Sequence, residues 1–425
     1  MAKVVIIGGG WAGAGAAVTA AKAGADVVLL ERTDMLLGTG LVGGIMRNNG
    51  RFTATEEAIA LGAPELFQAV DDTARHKNIE FPGHKHATLY DVAKIEPAVR
   101  QCLEQLAVNV RFESLVNGVK VENNRITAVV LKSGEEITGD VFIETTGTAG
   151  PMGNCAKYGN GCAMCILRCP TFGGRVSIAA KAGVQEIVGK KGDGSIGAMS
   201  GSCKLHKESL APSIVEELDK TGVAIVPIPA KLQKGDSLGV KACQQYALKE
   251  FAENIILLDT GHAKLMSPYY ALDKLRQIPG FEDARFEDPY SGGIGNSVRY
   301  LALSPRDNTL KVEGIENLFC GGEKAGLLVG HTEAIVTGSL AGHNAVRQAK
   351  GKELVELPTN LAIGDAIAHV NEQMKTEEGL GKKYTFSGSV YFERMKAEGI
   401  YCTDIAKIQE KVDQAGLTGV FAKKI

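Results

Sequence analysis

The chain has 425 residues, 44% of them hydrophobic and 23% charged, with a net charge of -2. That length can bury a large core in two or three domains, and the near-neutral charge excludes a general attraction to nucleic acid while leaving room for a local patch. No apolar run reaches the about 18 residues of a membrane span, no basic region and cleavage site mark a signal peptide, and nine cysteines, an odd number, point to a reducing, cytoplasmic setting with thiol or metal chemistry.

The opening residues read as a strand (Val4 to Ile7), a glycine turn (Gly8-Gly9-Gly10-Trp11-Ala12-Gly13), a small-residue helix (Ala14 to Ala23) and a second strand, Asp26 to Glu31. In G-x-G-x-x-G the first glycine permits the sharp turn, the second lets a pyrophosphate approach, and the third lets helix and strand pack closely. The phosphates would sit on the helix N-terminus. Glu31 falls where the fingerprint requires an acid, about 20 residues on, placed to accept both hydroxyls of an adenosine ribose. These features serve NAD and FAD equally.

A glycine-rich loop, Leu37 to Gly44, follows Arg32 and could run along the cofactor. Residues 54 to 76 read as one or two helices broken near Gly62-Ala63-Pro64, and Leu89 to Leu106 as a helix with apolar residues three and four apart. His84 and His86 sit in a polar connection and receive no role. From Asn109 the period changes to two, and Val110 to Thr138 reads as a small antiparallel meander inserted into an α/β domain. The apolar strand Asp140 to Glu144 returns to the sheet and ends in Thr145-Thr146-Gly147.

This order of parts resembles the glutathione-reductase-type FAD flavoproteins, in which such a turn, acid, meander and Thr-Gly turn bind FAD. Two C-terminal segments extend the resemblance: Ile315 to Gly326, with Gly322-Glu323, and the helix from His331-Thr332 onward, whose positive N-terminus would face the flavin. The resemblance implies FAD and the cofactor-binding residues Gly8, Gly10, Ala12, Gly13, Glu31, Arg32, Gly43, Val116, Thr146, Gly147, Gly322, Glu323, His331 and Thr332. Residues 1 to 50 and 284 to 350 also resemble the glucose-inhibited-division-type tRNA-modifying flavoproteins and the folate-dependent tRNA methyltransferases, through Ala284-Arg285, Ser304-Pro305-Arg306 and Thr309-Leu310. Those enzymes use a cysteine near the early glycine loop, whereas residues 33 to 50 hold none, and the long helical extension of the larger ones has no counterpart.

Cys155, Cys162, Cys165 and Cys169 crowd into fifteen residues after the Thr-Gly turn. Cys162-x2-Cys165-x3-Cys169-Pro170 matches the end of a bacterial ferredoxin run, with Gly159 at the first ferredoxin position and Cys155 available as a fourth thiolate. A [4Fe-4S] cluster on these four residues, a redox pair of Cys162 and Cys165, zinc and inert buried thiols all remain open. Residues 171 to 283 read as a mixed substrate or cap domain in which His262, Tyr269, Arg285 and Arg299 are candidate polar contacts.

The expected fold is α/β: a discontinuous Rossmann-like FAD domain (1–150 and 284–350) carrying the meander, a cysteine-rich insertion and α+β cap (151–283), and a C-terminal helical tail (351–425). The leading expectation is a cytoplasmic FAD-dependent oxidoreductase that passes electrons between flavin and the cysteine site, with a small molecule or redox protein as partner and homo-oligomer formation left open. Nucleic acid and membrane are not expected partners. The alternatives are a tRNA-modifying flavoprotein using reduced FAD and a non-catalytic flavin-bound subunit.

Overall fold

In the computed structural model, which describes residues 1–147, 168–191, 193–196, 198–200, 202–233, 246–267, 270–287 and 297–425, the apolar run Lys3–Ile7 is the centre of a five-stranded parallel sheet. Asp26–Leu30 and then Asn109–Arg111 extend it on one side, and Val141–Glu144 and then Leu318–Cys320 on the other. Apart from the edge strand Asn109–Arg111, these strands are almost continuously buried, as a parallel sheet covered on both faces demands. Residue 318 enters beside residue 142, so the α/β, Rossmann-like domain is discontinuous, as expected.

Its two halves are joined by helices made of small residues. A Cβ on Gly338 would lie 2.0 Å from Ala12 O, and one on Gly342 would lie 2.2 Å from Ala16 O. Only bare glycine lets helix His331–Ala349 come this close to helix Trp11–Lys22. Thr19 Oγ1 then reaches across to Ser339 O at 2.8 Å.

The meander has three strands, Val116–Glu122, Arg125–Leu131 and Glu136–Thr138. Asn123 and Asn124, both at positive φ, make its first turn. Asn109–Arg111, expected to open the meander, instead pairs in parallel with Asp26–Leu30. A second departure is the hairpin of Ala74–Phe81 and His84–Tyr90, which takes up Leu89, so the following helix begins only at Ile95. His84 is buried in that hairpin, stacked on Phe81 and bonded to Asn48.

Cys203–Leu205, Ala263–Leu265, Asn254–Asp259 and Val223–Pro227 form an antiparallel sheet in that order, with helix Pro212–Thr221 and a core of its own that includes Leu218, Leu257, Leu275 and Phe281. Beyond residue 350 the chain packs back into the main core. Leu361, Ile367, Tyr384 and Tyr391 join the main core, and buried Glu57 accepts hydrogen bonds from Ala362 N (2.7 Å) and Ile363 N (3.0 Å), capping helix Ala362–Gln373.

Candidate cofactor site

An open cavity lies at the carboxyl ends of the parallel strands, where the strand order reverses beside Lys3–Ile7 and where open α/β sheets bind ligands. Gly8 turns the chain at φ +105°, and a Cβ there would lie 2.5 Å from Thr145 O. Gly13 faces the opposite constraint, since its Cβ would lie 1.9 Å from Gly8 O. At Gly10 an added Cβ would meet nothing within 4 Å, so open space lies directly before helix Trp11–Lys22. That helix has no side-chain cap and no acid in its first turn, leaving its first amides directed at the cavity.

Glu31 is buried, with Oε2 accepting from Gly9 N at 2.7 Å and Oε1 from Thr33 N at 2.9 Å. These bonds hold the carboxylate at the rim while each oxygen keeps a lone pair for a ligand hydroxyl.

The second helix N-terminus comes from Gly330 and His331. Gly330, at φ +152°, leaves no room for a Cβ, which would lie 2.0 Å from Glu333 Oε2 and 2.1 Å from Arg51 Nη2. Arg51 Nε lies 3.1 Å from Glu333 Oε2, and both side chains are buried. Glu333 also accepts from Thr385 Oγ1 (2.6 Å) and Phe386 N (2.8 Å). The Arg51 charge thus offsets the acid in the first turn of the helix, whose N-terminal amides retain their positive character.

Beneath the Thr-Gly turn lie four charged groups. Lys324 and Glu144 are fully buried and 3.5 Å apart; Glu186 pairs with Lys324 and stands 3.4 Å from Arg175. Burial pushes the Glu186 carboxyl up, but the Lys324 and Arg175 charges outweigh it and hold the group below the usual carboxylate range. Glu144 also accepts from Ile178 N and Ala179 N at 2.9 and 2.8 Å. Arg175 lines the cavity, and its buried Nε has no hydrogen-bond partner among the described residues.

These features fit FAD: open space at Gly10, two uncapped helix N-termini, a buried acid at the rim, and an orphaned guanidinium donor in the wall. Gly8, Gly10, Ala12, Glu31, Arg32, Val116, Thr146, Gly147, Gly322, Glu323 and His331 line this one cavity. Gly13, Gly43 and Thr332 do not line it. Gly13 lets the helix approach the strand, Gly43 makes room for the His331 ring, and Thr332 is buried with Oγ1 3.5 Å from Met46 Sδ.

Arg168, Arg175, Trp11 and Ser114 also line the cavity, and sequence reasoning missed them. Only Trp11, inside the glycine turn, carried a local signal. Cys155, Cys162 and Cys165 lie outside the described residues, and Cys169 begins the short helix Cys169–Phe172. Among the described residues no group of three His, Cys, Asp or Glu could hold a metal ion, and no helix is long and apolar enough to cross a membrane. Of the candidate substrate contacts, His262 pairs with Glu287 and Arg285 lies 3.4 Å from Glu208, both away from the cavity. Tyr269 and the Arg299 side chain lie outside the described residues.

Comparison with known proteins agrees with this architecture. GidA of Aquifex aeolicus, in its form II crystal, superposes with a TM-score of 0.69 at 17% identity, covering 97% of this chain and 76% of that one. The form I crystal gives 0.64 at 17% identity, covering 97% and 78%. A methylenetetrahydrofolate–tRNA-(uracil-5-)-methyltransferase, TrmFO, of Desulfotalea psychrophila (strain LSv54 / DSM 12343) is 33% identical over 97 residues, which is 23% of this chain and only 21% of that protein's length.

The expectations of a flavoenzyme and of FAD stand with these matches, whereas [4Fe-4S] finds no support in them. The expectation that nucleic acid is not a partner is overturned, because this relative is by name a tRNA methyltransferase and the matching family model is that of glucose inhibited division protein A. Net charge sums over the whole surface and does not report how a binding face is built. Since that model matches residues 3–232 and 260–353, more than half of the sequence, the chain belongs to the glucose inhibited division protein A family.

Proposed function

We propose that this protein is an FAD-dependent enzyme that modifies tRNA. The reading is carried by the cavity in which the N- and C-terminal motifs meet, taken with the family and with a relative named for tRNA methylation. Bound FAD would supply electron and hydride transfer. The first amides of helix Trp11–Lys22 would hold its pyrophosphate at Gly10, Glu31 would accept the ribose hydroxyls, and Arg175 Nε would donate to an oxygen of the cofactor. Gly330 and His331 would bring the second helix N-terminus to the flavin ring. Residues 1–150 and 284–350 would form the FAD domain, 151–283 the cap that receives substrate, and 351–425 the helical tail.

With a chain charge of -2, phosphate contacts must come from a local basic face. The test is to identify the cofactor released from purified protein and to titrate tRNA at several salt concentrations. FAD, together with tRNA affinity that falls steeply with salt, is the expected result. NAD or FMN as the released cofactor, or no tRNA binding at low salt, overturns the proposal.

A second reading keeps the cysteine run as a redox segment serving the flavin, because Arg168, next to Cys169, lines the cavity. Iron and sulfide analysis of anaerobically purified protein separates its forms. About four irons per chain indicate [4Fe-4S] on Cys155, Cys162, Cys165 and Cys169, and absent iron with two extra electrons taken up on reduction indicates a dithiol of Cys162 and Cys165.

A further inference from the structure

The Arg51–Glu333 pair stands directly behind a wall of the cavity. Gly330, His331 and Ala334 line that wall, and both charged side chains fill the space beside Gly330, where an added Cβ would lie 2.0 Å from Glu333 Oε2 and 2.1 Å from Arg51 Nη2. Arg51 comes from helix Gly50–Ala60 and Glu333 from the first turn of helix His331–Ala349. Arg51 Nε lies 3.2 and 3.1 Å from the two Glu333 oxygens, Nη1 donates to Asn48 Oδ1 at 3.2 Å, and Nη2 donates to Thr385 Oγ1 at 3.1 Å. Thr385 Oγ1 and Phe386 N donate in turn to Glu333 Oε1 at 2.6 and 2.8 Å.

Neither charge is screened as a surface charge would be, because Glu333 is fully buried and the Arg51 side chain is 6% exposed. The influence of Arg51 extends into the wall. Burial raises the Tyr90 phenol far above its ordinary value, and the Arg51 charge is among the groups that pull it partly back, while Tyr90 Oη lies 3.3 Å from His331 Nδ1. Paired, the two charges largely cancel at the cavity. Loss of either partner would leave the other buried and uncompensated beside Gly330.

We propose that the Arg51–Glu333 pair sets the redox equilibrium of the flavin bound in the cavity, with Arg51 favouring reduction and Glu333 opposing it. This rests on the FAD reading above and adds the control of that site's electron uptake. Reduction transfers two electrons from a donor such as dithionite, and one proton from solvent, to the flavin ring, a net gain of one negative charge. That added charge is what the pair acts on. Neither residue contacts the cofactor in this scheme; both are positioning residues that act through the helix N-terminus at Gly330. A unit charge on the order of 10 Å away, at an effective dielectric of about 20, shifts such an equilibrium about tenfold.

The test identifies the cofactor released from wild-type protein and then measures the midpoint potential of FAD-loaded protein by dithionite titration against a reference dye at neutral pH. Glu333→Gln should raise the equilibrium constant for reduction about tenfold, a potential about 30 mV higher for a two-electron couple, and Arg51→Gln should lower it by about as much. The double variant Arg51→Gln/Glu333→Gln, which removes both charges, should stay within about threefold of wild type. Opposite signs in the two single variants mark an effect of charge, because loosening of the helix alone would move both the same way. An unmoved Glu333→Gln potential, shifts of one sign in both single variants, or a double variant displaced as far as Glu333→Gln overturns the proposal and leaves the FAD reading standing. Should Arg51→Gln fail to fold, Glu333→Gln and the double variant decide without it. A wild-type cofactor other than FAD overturns the flavin reading and this role together.

Discussion

Gly10 and Gly13 belong to the same motif, yet the structure assigns them opposite sensitivities to a single methyl group. Gly10 has φ -68° and ψ -176°, an extended conformation that alanine adopts, and its added Cβ meets nothing within 4 Å. Gly10→Ala should therefore leave the FAD-free protein as stable as wild type, or more stable by about 0.4–1 kcal/mol through a less flexible unfolded chain. The same methyl would enter the space before the helix N-terminus and push a pyrophosphate off one or two amides. Each charge-assisted hydrogen bond is worth about 1.5–3 kcal/mol, so affinity for FAD should fall on the order of tenfold to a hundredfold.

Gly13→Ala places its Cβ 1.9 Å from Gly8 O, so helix and strand must separate. That overpacking costs about 1–3 kcal/mol or more and should lower the melting temperature with or without cofactor. The assay is thermal unfolding of flavin-stripped protein, followed by FAD titration monitored by flavin fluorescence. Gly10→Ala protein that binds FAD as tightly as wild type, or that melts as early as Gly13→Ala, would refute the assignment of this space to the pyrophosphate.

Glu31→Ala should weaken FAD binding by about 1.5–3 kcal/mol, and it also strips Gly9 N and Thr33 N of their acceptor; unchanged affinity in the same titration would give Glu31 a purely structural duty. Gly338→Ala directs a methyl 2.0 Å from Ala12 O and should destabilise the fold by about 1–3 kcal/mol or more, read as a lower denaturant midpoint. His343 is fully buried, and neither ring nitrogen has a hydrogen-bond partner among the described residues. Burial, aided by Arg347 and Lys423, pushes it down from 6.5 to about 4. Its contribution to stability is therefore fully present above pH 6.5 and lost as pH falls toward 4, on the order of 3 kcal/mol in all. His343→Leu should flatten that part of the stability–pH curve, and an unchanged acid limb in chemical denaturation would count against it.

Much of the nucleotide-binding half was legible because its conformations are local. A strand, a glycine turn, a small-residue helix and an acid at a set distance each follow from a few neighbouring residues, and the fold gathers Gly8, Gly10 and Glu31 in the lining of one cavity. The hairpin Ala74–Tyr90 was not legible. Its first strand, Ala-Arg-His-Lys-Asn-Ile-Glu-Phe, is polar, largely exposed and pairs through irregular register, so no alternation announced it, while Leu89 fell by chance at helical spacing with Val92.

Partnerships between distant residues were beyond the sequence for a different reason. Arg175 reads as any arginine until the fold sets it against Glu186 and the Thr-Gly turn, and His331 reads as a helix start until Tyr90 arrives from another sheet. Gly338 and Gly342 carry no local signal in the sequence; they are essential because the fold brings Ala12 and Ala16 against them. The sequence by itself determined which backbone shapes the chain can take, since these depend on adjacent residues and their steric limits. The tertiary structure alone decided which charges, ring nitrogens and bare backbones meet, because those contacts form between segments whose separation along the chain carries no information about their separation in space.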